Sequence, residues 1–133
     1  MRRRTSVTVD GIDHGSSPFP AATRIGPFIF SSALSGRDAD SGVLPDSVEK
    51  QAETAFENVR RVVTAAGASP EDIAKVVVFA RDRAAVRAVL DGPWTALFPD
   101  PGSRPVRHTV EAEIPAHMHL QVEFVAVQEE NTA

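Results

Sequence analysis

The sequence of 133 residues contains no cysteine, which excludes disulfide bonds, thiolate metal sites and cysteine nucleophiles. It also lacks any apolar run that approaches the roughly 20 residues of a transmembrane helix. A formal net charge of −4 provides no overall basic field that would attract nucleic acid. With 42% apolar and 24% charged residues, the composition is typical of a globular protein. We therefore expect one domain over residues 1–133, with neither nucleic acid nor a membrane as partner.

The first residues do not resemble a targeting signal. Arg2, Arg3 and Arg4 are basic, but residues 5–9 that follow are too polar to be the apolar core of a signal peptide. We interpret this start as a solvated basic end and expect a cytoplasmic location.

Hydrophobic periodicity predicts two amphipathic helices. In residues 48–66 and again in 83–98, apolar side chains recur at steps of three and four. The polar pair Asp46-Ser47 can cap the start of the first helix. In the second, Gly92-Pro93 interrupts the pattern and predicts a kink or a split.

The remaining ordered segments are predicted to be strands. Short runs of branched and aromatic residues, some alternating with polar ones, indicate strands at 5–9, 23–25, 28–32, 106–112 and 120–126. Residues 75–80 are almost wholly apolar, which predicts a central strand buried on both faces. From residue 23 onward the order is β-β-α-β-α-β-β, with two helices against one sheet.

Polar side chains alternate along the last two strands. Arg107 and Thr109 share one predicted face of their strand, while Gln121 and Glu123 share the polar face of the next. We expect both polar faces to turn away from the core. His108 falls on the opposite, apolar side of its strand.

Arg107 is the leading candidate for a functional side chain. Its guanidinium is always charged, and burial among strand residues is costly unless an anion lies beside it. That anion is either a carboxylate of the same protein, such as Glu111 or Glu123, or the carboxylate of a small organic acid from solution. The residue pattern alone favours the ion pair.

The histidines of the last third suggest weaker sites. His108 is interpreted as a core histidine, with a proton shuttle near neutral pH as the alternative. His117 and His119 have a spacing that could hold a metal from a strand, but no third ligand is evident. We predict no metal site and no cofactor.

Three segments resemble the Rid proteins, the YjgF-like reactive intermediate deaminases. They are 67–79 (GASPEDIAKVVVF), 105–110 (PVRHTV, similar to the motif Pro-Ala-Arg-Ser-x-Val) and 114–127 (IPAHMHLQVEFVAV). The resemblance covers a core of about 18–127, with flexible ends. It implies an α+β, chorismate-mutase-like fold in which one mixed β-sheet packs on two α-helices, and a homotrimer with clefts between subunits.

The resemblance also implies a reaction. In the family, the arginine matching Arg107 binds the carboxylate of a 2-imino or 2-enamino acid, which water hydrolyses to a 2-oxo acid and ammonia. The expected partner is thus a small carboxylated metabolite. The family's water-activating glutamate corresponds to Gln121, which can orient water but cannot accept its proton. Glu123 is the nearest substitute, with an ion pair to a strand neighbour as its alternative role.

Other expected substrate-binding positions have also changed from the family pattern. The family's tyrosine corresponds to Phe19, its Ser-Gly step to Ser32-Ala33, an asparagine of the second helix to Asp91, and a frequent cysteine to Thr109. These replacements keep a second function open, a non-catalytic trimer that binds small acids or partner proteins. A ribonuclease is a weaker third, because the chain is acidic and lacks an interleaved basic and aromatic patch.

Overall fold

The computed structural model describes residues 3–129, so the flexibility predicted for the ends lies outside the described residues at 1–2 and 130–133. The elements are β1 (Thr5–Val7), β2 (Ala22–Ile25), β3 (Phe28–Ser31), β4 (Leu34–Ser35), α1 (Val48–Ala65), a 3₁₀ turn (Pro70–Asp72), β5 (Ile73–Ala80), α2 (Arg83–Leu97), β6 (Val106–Glu111) and β7 (Leu120–Val127). Among these described elements, no helix is long and apolar enough to span a membrane.

The strands form one mixed sheet in the order β1-β2-β3-β7-β5-β6, and β4 also pairs with β7. β5 and β6 are parallel because α2 carries the chain back between them, whereas the other pairs are antiparallel. Both helices pack on the same face of the sheet. The predicted α+β, chorismate-mutase-like fold is therefore confirmed.

Capping and periodicity explain where α1 lies. The Ser47 side chain accepts a hydrogen bond from the Lys50 backbone N–H at 3.1 Å, as predicted for one of the two candidate caps. The apolar stripe of the helix, which includes Ala52, Val59 and Val63, is fully buried. Burial of such a stripe supplies most of the free energy that keeps a helix of this length folded.

The predicted split of the second helix is wrong. α2 runs without interruption through Pro93, although proline cannot donate the backbone hydrogen bond expected at that position. Val86, Leu90 and Trp94 bury their side chains on either side of the proline. Their packing outweighs the local helix-breaking tendency.

One face of the sheet is left without a helix layer, and we call it the open face. Val76, Val78 and Ala80 of β5 are fully buried beneath the helices, but Val77 and Phe79 on the open face are only partly buried. The prediction that this strand is buried on both faces is thus wrong for the chain on its own. The open face also carries the exposed apolar side chains of Phe28, Phe30, Val106 and Val127.

The faces of β6 are reversed relative to the prediction. Arg107 and Thr109 pair in register with the buried Val76 and Val78, so they point toward the helices. Val106 is 65% exposed and His108 is also exposed, both on the open face. The reason is that β6 is an edge strand, where packing constrains the alternation of polar and apolar residues less than in a central strand.

β7 lies as predicted. Leu120, Val122 and Phe124 are buried under the helices, while Gln121 and Glu123 lie on the open face. This strand is central in the sheet, so its inward face must be apolar.

Candidate functional site

The predicted site residues fall into two separate groups within one chain. Arg107, Asp91 and Thr109 lie around α2 and β6 at one edge of the sheet. Phe19, Ser32, Ala33 and Gln121 lie at or beside a cavity next to β4 and the start of β7. Glu123 lines a different and smaller cavity on the open face, beside Lys75 and Val77.

The guanidinium of Arg107 is held between an aromatic ring and a carboxylate. Its Cζ lies 4.8 Å from the centroid of the Trp94 ring, close enough for a cation–π interaction. Its Nη2 lies 3.5 Å from Oδ1 of Asp91, whose side chain is 86% exposed. The structure therefore pairs Arg107 with Asp91, and not with Glu111 or Glu123 as the sequence suggested.

The other end of the guanidinium is unpaired. Nη1 of Arg107 is buried, and among residues 3–129 it has no hydrogen-bond partner. A buried donor without an acceptor normally costs about 1–3 kcal/mol, and more for a charged group. Because the Arg107 side chain as a whole is 24% exposed, an acceptor from outside the chain could approach this incompletely compensated charge.

The cavity beside β4 has a volume of about 610 Å³. Phe19 and Ala33 line it together with Gln121, whose Nε2 donates a weak 3.7 Å hydrogen bond to Sδ of Met118. Such a volume suffices for a small metabolite. Three of the residues that the family resemblance selected thus share one cavity.

A histidine that the sequence did not single out also lines this cavity. Nε2 of His14 lies 2.6 Å from Oγ of Ser32, and the His14 ring lies against that of Phe19 with 4.5 Å between centroids. The residue lies in a loop rich in Gly, Ser and Pro, where no periodicity indicates a side-chain direction. Only the folded loop places it at the cavity.

Two features of the chain fix the wall formed by β4 and the following loop. Asn58 on α1 is buried and donates from Nδ2 to the carbonyls of Ser35 and Arg37, at 2.9 and 2.8 Å. Gly36 lies so close to α1 that a Cβ would overlap the backbone of Gln51. This wall is therefore held by the Asn58 side-chain amide and by the close approach of Gly36 to α1.

An ion pair holds a later part of the loop that follows β4. The Arg61 guanidinium donates two hydrogen bonds to the Asp40 carboxylate, at 3.1 and 3.0 Å. This hydrogen bonding, reinforced by the opposite charge, lowers the pKa of Asp40. Asp40 therefore stays ionised, and the pair intact, to lower pH than for an isolated aspartate.

Gln51 on α1 holds the loop of residues 112–119, which lies on the other side of the cavity. Its fully buried side chain donates from Nε2 to the carbonyls of Pro45 and His117, at 2.6 and 2.9 Å, and its Oε1 accepts from the His119 N–H at 2.8 Å. Residues 112–119 contain Met118 and lead directly into Gln121. This buried amide thus ties the loop that precedes Gln121 to α1.

The remaining histidines have other surroundings. Nε2 of His119 bonds to the Asp46 carbonyl at 2.8 Å, and His117 has a φ of 69°, the left-handed region that few non-glycine residues adopt. His108 is exposed, so its interpretation as a core histidine is wrong. In the described part of the chain, no group of three or more His, Cys, Asp or Glu side chains could hold a metal ion.

Comparison with known proteins places this geometry in a family. Residues 14–128 match the model of the family described as Endoribonuclease L-PSP. A Salmonella typhimurium protein named 2-iminobutanoate/2-iminopropanoate deaminase is 29% identical over 113 residues, which are 84% of this chain and 88% of that protein.

Solved structures show the same fold. Escherichia coli TdcF with bound serine superposes with a TM-score of 0.84 at 26% identity, covering 94% of this chain and 99% of TdcF. The Escherichia coli YjgF gene product gives a TM-score of 0.82 at 26% identity, covering 92% and 98% of the two chains. With a family model that matches most of its length, the protein belongs to the Endoribonuclease L-PSP family, which is the YjgF/Rid family.

Proposed function

We propose that this protein hydrolyses the imine or enamine of a small carboxylated metabolite to a 2-oxo acid and ammonia, with Arg107 binding the carboxylate. The observation that carries the proposal is the charge of Arg107, whose Nη1 has no hydrogen-bond partner in the described part of the chain. The kinship with a protein named 2-iminobutanoate/2-iminopropanoate deaminase supports the choice of reaction.

The surroundings of Arg107 suit carboxylate binding. The Trp94 ring supports one face of the guanidinium, which fixes the plane in which its N–H groups point. A carboxylate in that plane accepts two parallel hydrogen bonds, each worth about 1.5–3 kcal/mol because both partners are charged. Asp91 holds the guanidinium only by a 3.5 Å contact, so it leaves most of this capacity to a ligand.

A single chain cannot bring Arg107 and Gln121 to the same small molecule. β5 lies between β6 and β7, which separates the two strands by about 10 Å, and the two side chains point to opposite faces of the sheet. We therefore propose that the site forms between two copies, with Arg107 from one and the cavity residues Phe19, Ala33 and Gln121 from the other.

The open face supports assembly into a homotrimer. It exposes Phe28, Phe30, Val106 and Val127, and apolar side chains grouped on one face usually mark an interaction surface. Joining the open faces of three sheets would bury this surface around a common axis. The same contact would bring an edge strand of one copy near the cavity of the next.

The proposed homotrimer predicts the mass of the protein in solution. Light scattering should give three times the chain mass, and Phe30→Asp should shift the protein toward monomer because it places a charge in the buried face. Thr64→Asp is the matched control, since Thr64 is exposed on α1, on the helix side of the sheet. A monomeric wild type, or equal masses for the two variants, would contradict the proposed interface.

Imine hydrolysis requires little from the protein beyond orienting the substrate and a water molecule. An imine carbon is already electrophilic, and holding it beside a bound water converts a bimolecular step into one within the complex. Gln121 can hold that water through its amide oxygen or nitrogen. The proton of the water then needs another acceptor.

The direct test generates 2-iminobutanoate in solution and follows its decay with and without protein. We expect a concentration-dependent acceleration that saturates with substrate. Decay at the uncatalysed rate would leave the second candidate function, a trimer that binds small acids without catalysis. Gln121 in place of the family's glutamate is the observation that favours that alternative, and it predicts binding of 2-oxo acids with no hydrolysis.

A further inference from the structure

We infer that His14 accepts the proton of the attacking water and returns it to the departing nitrogen. This inference rests on the proposed function, because it assigns a catalytic residue to the same cavity. A general base of this kind typically contributes about 10²–10⁴ in rate. Gln121 cannot supply it, whereas His14 lines the cavity that Gln121 lines.

The hydrogen bonds of Ser32 define how His14 presents its ring. Ser32 has one hydroxyl proton, and Oγ lies 3.0 Å from the Ala21 carbonyl, which can only accept. The hydroxyl therefore donates to Ala21 and accepts from Nε2 of His14 at 2.6 Å. In the neutral ring this leaves Nδ1 without a proton and able to take one.

Packing restrains the ring in that position. The Phe19 ring lies against it at 4.5 Å between centroids, tilted by 32°. In the family pattern, the residue that matches Phe19 is a tyrosine. Here the phenol hydroxyl is absent, and the His14 imidazole lies in the cavity, supported by the Phe19 ring. His14 is partly buried, which leaves it open to solvent exchange.

Two other charged side chains, Arg37 and Asp13, also line the cavity. Arg37 is permanently protonated, and its Nη1 donates to the Gly42 carbonyl at 3.1 Å. Asp13 uses Oδ1 to accept the Gly15 N–H at 3.0 Å. In the proposed assembly Arg107 and Asp91 of a neighbouring copy would also face this cavity, the first to bind the carboxylate.

His14 carries a proton in both halves of the hydrolysis. The water oxygen bonds to the carbon of the protonated imine, the C=N π electrons move to nitrogen, and one water proton passes to His14. The resulting carbinolamine takes that proton from His14 onto its nitrogen, and the C–N bond breaks with its electron pair on the departing ammonia. The hydroxyl proton passes to His14 as C=O forms, and then to ammonia, which gives a 2-oxo acid and ammonium.

The test compares the pH profiles of kcat/KM for wild type and His14→Gln. Glutamine can still bond to Ser32 but cannot take up a proton, so we expect kcat to fall about 10²-fold while KM changes little. The wild-type profile should fall on the acid side, as a base becomes protonated, and this limb should be absent in the variant. Glu71→Gln, an exposed residue of the 3₁₀ turn, should keep the wild-type profile.

The outcomes separate this inference from the proposed function. An active wild type with an unchanged kcat and pH profile in His14→Gln overturns the role of His14 and leaves the deaminase in place. An inactive wild type overturns both. Calorimetry with 2-oxobutanoate and a thermal melt of His14→Gln identify a folding defect. Ser32→Ala removes the hydrogen bond that holds the His14 ring, so we expect it to lower kcat by a smaller factor in a folded protein.

Discussion

Arg107→Ala should lower kcat/KM for 2-iminobutanoate by about 10³-fold, the largest effect on activity that we expect from one substitution. Two charge-assisted hydrogen bonds to a carboxylate amount to about 3–6 kcal/mol, and 1.36 kcal/mol corresponds to a factor of ten. The loss should appear in binding as well as in turnover, because the carboxylate is present in both substrate and product. Calorimetry with 2-oxobutanoate should therefore show a parallel loss of affinity.

Two further variants make this result specific. Arg107→Lys keeps the charge but loses the planar fork, so it should retain only part of the affinity. Arg87→Ala removes an exposed arginine from α2 and should behave like wild type. Equal affinity of wild type and Arg107→Ala for the 2-oxo acid would show that Arg107 does not bind the carboxylate.

Gln51→Leu should lower the free energy of unfolding by about 3 kcal/mol or more, the largest effect on stability that we expect. Its amide pairs with two carbonyls and one N–H, and leucine of similar size leaves these partly buried backbone groups without partners. Each unpaired buried group costs about 1–3 kcal/mol. Urea denaturation monitored by circular dichroism measures the change.

The matched control is Gln128→Leu, a partly buried glutamine near the end of the described chain, which should change stability by less than about 0.5 kcal/mol. A similarly small change for Gln51→Leu would show that the loop at 112–119 does not depend on this side chain. Because that loop leads into Gln121, we also expect imine hydrolysis in Gln51→Leu to fall under conditions where the protein is still folded.

Segments with strong local patterns were predictable. The stripe of α1 and the inward face of β7 follow from periodicity, because these elements are packed against the core. The residue types before α1 limited its cap to Asp46 or Ser47, and the structure has Ser47. The motif around Arg107 and the replacement at Gln121 could be read from the resemblance alone.

Other features depended on neighbours that the sequence does not name. α2 continues through Pro93 because side chains on both sides of it are buried. Arg107 points toward the helices because β6 is an edge strand with Trp94 above it. In each case a contact between elements outweighs a local tendency worth only a few kcal/mol.

By itself, the sequence determined the order of helices and strands, the family resemblance and the retention of Arg107 without the family's glutamate. Only the tertiary structure decided that Arg107 and Gln121 lie on opposite faces of the sheet and that His14 lies beside Ser32. It also decided that one end of the Arg107 guanidinium has no partner within residues 3–129. The physical reason is that periodicity along a chain reports which side of an element is apolar. It does not report which strand lies beside another, or where a loop without periodicity brings its side chains.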